Sequence, residues 1–185
     1  MKIVAFNPNE KRYEKLFIQF PFTLYKNTPQ WVPPLVSDTK YWFDTKKNPF
    51  YHSGEARFFL AMNENEHVLG RLAMLENQHY NDYFNIKAAF FYLFECVDDF
   101  SIAENLFRAG FNWARERSLN QVIGPKGFSV LDGYGTLIEG AHQRASYGQV
   151  YNPPYYQNLI EDMGFTKRWD TMTGYMERKK QLPEK

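Results

Sequence analysis

The segment AAFFYLFECV (88–97) is apolar on both of its alternating faces, and an amphipathic stretch follows it after the turn Asp98-Asp99-Phe100. A strand with no polar face has to be covered on both sides, which places it in the interior of a sheet. The stretch after the turn supplies one covering layer. Ile102, Leu106, Gly110 and Trp113 form a stripe at helical spacing, with Phe107 and Ala114 beside it.

The remaining elements follow from the same two periodicities. KIVAF (2–6) reads as a short strand, and Tyr13, Leu16, Phe17, Phe20 and Leu24 then recur at helical spacing, with Pro21 expected to kink or end that helix. A second short helix is expected after Pro34, with Leu35, Tyr41 and Trp42 facing inward. KKNPFYHSGE (46–55) reads as a loop. ARFFLAM (56–62) and VLGRLAML (68–75), joined by NENEH, read as a hairpin in which Gly70 marks a bulge or a close backbone approach. The polar ENQHYNDYFNIK reads as a connection to the central strand. QVIGP (121–125) is another short strand, leading into a Gly-rich stretch. NPPYYQNLIEDMGF (152–165) is a helix opened by proline and stopped by Gly164, and TKRWDTMTGYMER (166–178) alternates as a final strand. The fold class is α/β (α+β), three layers α/β/α around a mixed, mainly antiparallel central sheet. Residues 1–178 are expected to form a single domain and 179–185 a charged, frayed tail.

Composition narrows the functions open to such a chain. With 22 basic against 21 acidic residues the formal charge is +1, which leaves no electrostatic footprint for nucleic acid or an anionic membrane. The one cysteine, Cys96, excludes an intramolecular disulfide and sits in the apolar strand as a small core residue. His52, His67, His79 and His142 show no metal-ligand spacing, so no metal is expected. With no long apolar run, no membrane span is expected, and a cytoplasmic location is the default.

The junction between the central strand and its helix has its own chemistry. A helix start is a ready anion site, because its first N–H groups lack partners. Here Ser101 and Glu104 have the form of a capping box, which would satisfy those groups internally. Asp98 and Asp99 favour the helix end by about 0.3–1 kcal/mol each, and the same charges repel an anionic ligand. The junction is therefore expected to be self-capped. Farther on, Tyr134, Tyr151, Asn152 and Tyr155 of the long 124–156 stretch either line a concave pocket or pack as a lid over the sheet. KYWFD (40–44) either joins the core or forms an interface with a second copy or a second domain.

The order strand, helix, helix, hairpin, central strand, helix, strand, helix, strand resembles that of the GNAT superfamily of acyl-CoA-dependent N-acyltransferases. NLIEDMGFTKRWD is similar to the helix-to-strand segment that ends in Gly-Phe in those enzymes. WVPPL, NPFYH, LGRLA, GPKGFS, DGYGTLIEG and YNPPYY are similar to phrases in the N-terminal part of a family of bacterial GNAT-like proteins of uncharacterised activity, whose members are often longer. The resemblance implies acetyl-CoA or another acyl-CoA as cofactor and a small-molecule or peptide amine as acceptor. It places the cofactor on the backbone at Val97, Ser101 and Ile102. Glu95 is implied as the general base, or else as a solvated or salt-bridged strand end. The family's thiolate-protonating tyrosine falls on Ile160, which leaves Tyr156, one turn earlier, either to reach the same cleft or to pack with Leu159 and Met163. The Gly-rich phosphate loop of the family is replaced by CVDDFSIAEN. Two readings stand: a divergent acyltransferase, or a non-catalytic ligand-binding or domain-docking module with a degenerate CoA site.

Overall fold

In a computed structural model, residues 1–129 and 131–174 are described. Five strands, β1 (Lys2–Phe6), β2 (Gly54–Met62), β3 (Val68–Asn77), β4 (Ala88–Cys96) and β5 (Gln121–Ile123), form one sheet in that spatial order. The first three pairings are antiparallel and β4 pairs with β5 in parallel. Helix α1 (Lys11–Leu24), α2 (Val36–Tyr41) and a short 3₁₀ turn at Pro49–His52 lie toward one face of the sheet. Helix α4 (Phe100–Glu116) and α5 (Tyr155–Asp162) cover the other, and α3 (Gln78–Phe84) connects β3 to β4. The three-layer mixed sheet is the expected one.

Alternation sorts each strand's side chains between two cores. Phe59, Ala61, Leu72, Met74 and Phe91 meet the α4 stripe of Ile102, Leu106, Phe107 and Trp113. Phe58, Leu60, Ala73, Leu75 and Phe90 meet Phe6, Phe17 and Phe43 on the α1 side. Full burial of one such side chain stabilises by about 1.5–3 kcal/mol, so these two layers fix the position of everything else. Gly70 meets both halves of its expectation: a register irregularity lies beside it in β3, and a Cβ there would stand 2.8 Å from Leu106 Cδ1.

Several local expectations are corrected. Of the two outcomes expected at Pro21 the end is excluded, since Pro21 lies inside α1; Leu35 and Tyr41 are exposed instead of inward-facing, while Trp42 packs, half-buried, against the α1-side core as expected. Within 40–44 Phe43 is buried in the core and Trp42 packs against it. The polar connection before β4 contains α3, whose ends are set by asparagines: Asn77 caps Tyr80 N–H at 2.9 Å, and Asn85 adopts φ 51°. No strand forms over 166–174, and the rest of the expected final strand and the 179–185 tail lie outside the described residues. Among the described residues no helix is long and apolar enough to cross a membrane.

Candidate functional site

The site begins with a phase shift in β4. Leu93 takes φ +51°, and the pairing of β3 with β4 slips at this point. One extra residue in a strand moves every later side chain to the opposite face. Phe90 and Tyr92 therefore face α1, whereas beyond Leu93 it is Phe94 and Cys96 that face α4. Glu95 is thereby turned toward α1, directly opposite Arg71 in the register.

Arg71 is buried; its Nη1 donates to the Phe17 carbonyl at 2.8 Å and its Nη2 stands 3.6 Å from Glu95 Oε1. Pro21 makes the first contact available. Lacking an N–H, it leaves the Phe17 carbonyl without its helical donor four residues on. Two phenols converge on the same carboxylate: Tyr25, just past the end of α1, donates to Glu95 Oε2, and Tyr156 of α5 donates to it at 3.1 Å. Burial raises the Glu95 carboxyl above its ordinary value, against the opposing pull of Arg71 and the two phenols. Burial and then the Glu95 charge raise both tyrosines, and burial lowers Arg71 while Glu95 holds it up.

Glu95 and Arg71 open onto a cavity of about 340 Å³. Its aromatic lining includes Trp31, Trp42, Tyr92 and Tyr151, and its other charged residues are Asp38 and Asp132. The cavity enters the sheet. Lys126 N–H bonds the Phe91 carbonyl, and beyond that the chain segments separate, so that Tyr92, Phe94 and Glu95 line one side and Pro125, Gly133 and Gly135 the other.

The α4 side of this gap is closed by α5. Tyr156 Oη accepts from Cys96 N–H at 2.7 Å, and Tyr155 Oη donates to the Cys96 carbonyl at 2.7 Å. The Val97 N–H is bonded to the Leu69 carbonyl at 3.0 Å. At the start of α4 the cap is Asp99, not Ser101: Asp99 Oδ1 accepts from Ser101 N–H at 2.8 Å and from Ile102 N–H at 3.4 Å. The junction is self-capped as expected, with the cap two residues earlier than in the capping-box reading. Burial, then the Asp99 and Asp98 carboxylates, push the Cys96 thiol up to about 12. At this junction the N–H groups of Ser101, Ile102 and Ala103 have internal acceptors, and Asp98 and Asp99 place acidic side chains beside them, both of which oppose an anion there.

The structure thus brings Glu95 and Tyr156 together, while the Val97 N–H bonds Leu69 across to β3, the Ser101 hydroxyl bonds Asp99, and the Ile102 side chain enters the α4-side core. Tyr151 and Asn152 line the cavity, the latter with its amide bonded to the Leu137 backbone. Tyr134 is exposed and does not line it, and Tyr155 is engaged by Cys96. Sequence reasoning missed Arg71 and Tyr25. Arg71 carried a signal, since a charge in the apolar run VLGRLAML mirrors Glu95 in β4; Tyr25 carried none.

No family model matches the chain. It is 25% identical to Protein YghO of Escherichia coli over 164 residues, 89% of this chain and 42% of that protein. It is 26% identical to the bacterial ceramide synthase of Caulobacter vibrioides over 178 residues, 92% of this chain and 44% of that protein. The chain thus spans less than half the length of these curated relatives. Among solved structures, an aminoglycoside acetyltransferase from a soil metagenome complexed with sisomicin superposes with a TM-score of 0.56 at 14% identity, covering 96% of both chains. A tandem GNAT protein of the clavulanic acid biosynthesis pathway gives 0.58 at 12% identity, covering 88% of this chain and 43% of that one. The mixed sheet, the gap beyond β5 and the helices on its two faces together identify this chain as having the GNAT acetyltransferase fold.

Proposed function

We propose that this chain is a GNAT-fold unit that binds an amine in the cavity against Glu95, with the usual acyl-CoA site at the start of α4 closed by its own side chains. The observation that carries it is the Glu95 carboxylate, seated between two phenols at the wall of a cavity with three carboxylates and one guanidinium in its lining. Such a lining attracts a cation, and the rings of Trp31 and Tyr92 give an ammonium ion or its apolar body a surface. Calorimetric titration with phenethylamine tests this directly. Saturable heat is expected, weakened about tenfold in Glu95→Gln because a charge-assisted bond is lost. Absence of saturable heat with amines overturns the reading.

A second reading is transfer of an acyl group from an acyl-CoA to that amine, and the proton chemistry of Glu95 favours it. Burial raises its carboxyl toward the range useful for a base that accepts a proton from an attacking amine. The names of the similar proteins point the same way: a ceramide is an N-acylated amino alcohol, and an aminoglycoside acetyltransferase acylates an amine. Glu95 would then be the base, and Tyr156 would assist the departing thiolate. Turnover of acetyl-CoA with an amine, lost in Glu95→Gln at an unchanged melting temperature, would establish this reading over the first.

A further inference from the structure

The cavity wall beside Glu95 carries an unmet hydrogen-bonding requirement. Arg71 is 3% exposed, and its guanidinium lies over the Phe17 ring at 4.8 Å. Nη1 is satisfied by the Phe17 carbonyl, but Nη2 stands 3.6 Å from Glu95, beyond hydrogen-bond length. Among the described residues Nε has no acceptor. A guanidinium presents its donors in a rigid fork, and a buried fork edge left unfilled is costly to the fold. Arg71 and Glu95 both line the cavity.

We propose that Arg71 is a specificity subsite that takes a neutral oxygen acceptor, a hydroxyl or a carbonyl, on the carbon next to the amine bound by Glu95. This rests on the amine-binding reading above. The adjacency follows from the register: Arg71 and Glu95 are direct cross-strand partners whose charged ends converge, so a ligand that meets both has its nitrogen and oxygen close together. The neutrality follows from the lining charge. Asp38, Glu95 and Asp132 already outnumber Arg71, so a ligand carboxylate would add a fourth negative group around one guanidinium. A hydroxyl or carbonyl accepts from Nη2 without that repulsion. The ligand class is therefore a vicinal amino alcohol or an α-amino carbonyl compound.

The test is a calorimetric comparison of phenylalaninol, phenethylamine and phenylalanine on the intact chain. Phenylalaninol is expected to bind about tenfold more tightly than phenethylamine, the amine lacking the hydroxymethyl group, and phenylalanine more weakly than phenylalaninol. In Arg71→Lys, which keeps a cation facing Glu95 but removes the fork, the ratio of the first two falls toward one. Equal affinities for phenylalaninol and phenethylamine in the native chain, tightest binding of phenylalanine, or an undiminished ratio in Arg71→Lys each overturn the proposal. Should Arg71→Lys not fold, the native panel decides alone. Failure of every amine to bind removes the underlying amine-binding reading as well, so the two failures are told apart by whether phenethylamine binds.

Discussion

Glu95 ties its protonation to both folding and ligand capture, with opposite signs. Its carboxyl is raised by burial above the ordinary value of 4.5, so the folded state holds this proton more tightly than the unfolded chain. The stabilisation from that proton is fully present below the ordinary value and is lost as pH rises through the folded pKa. The difference in melting temperature between native protein and Glu95→Gln, followed from about pH 4 to 8, is expected to move against the native chain as pH rises. Amine affinity should rise over the same interval, because the carboxylate is the form that pairs with an ammonium. Tyr156 makes a different contribution. Its hydroxyl serves the Cys96 N–H and Glu95 at once, so Tyr156→Phe leaves a buried donor unanswered and is expected to cost about 1–3 kcal/mol in urea unfolding. Glu95 was legible as a charge in an apolar strand. Its orientation was not, because the bulge uses Leu93, and nothing about a leucine announces a positive φ.

At the scale of elements, β4 and α4 were readable because burial alone dictates their pattern, continuous in one and periodic in the other. Helix α3 was not, since side-chain amides hold it where an apolar stripe would be looked for. Asn81 bonds both the N–H and the carbonyl of Ala88, which ties the helix to the first residue of β4. The α4 cap shows a related ambiguity: with Asp99 and Ser101 both competent to cap, the sequence allowed either start. Asp99→Ala is expected to destabilise the chain by about 0.5–2 kcal/mol in chemical unfolding. The double change Asp98→Asn with Asp99→Gly removes the acidic charge, yet Tyr156 still occupies the Cys96 amide, so acetyl-CoA should give no new heat. Gly124 follows the end of β5, and a Cβ there would stand 2.5 Å from the Phe91 carbonyl oxygen. Gly124→Ala should cost about 1–3 kcal/mol, because backbone cannot move aside as a side chain can.

At the scale of the molecule, two hydrophobic cores share one sheet, and β3 contributes to both. Loss of either layer exposes the strands that the other needs. Trp113, on the α4 side, and Trp31, beside Tyr25, should therefore report the same unfolding midpoint, and separate midpoints for single-tryptophan variants would show that the layers melt independently. Pro21 sets a tension between robustness and discrimination. By withholding a donor from the Phe17 carbonyl, it weakens its own helix and orients the guanidinium that sorts ligands. Pro21→Ala restores a competitor for that oxygen, so the helix should firm up while the preference for phenylalaninol over phenethylamine relaxes. Position 21 thus acts as a dial: a lineage adapting to heat would be drawn toward broader ligand tolerance, and one refining its choice of ligand toward a less rugged fold.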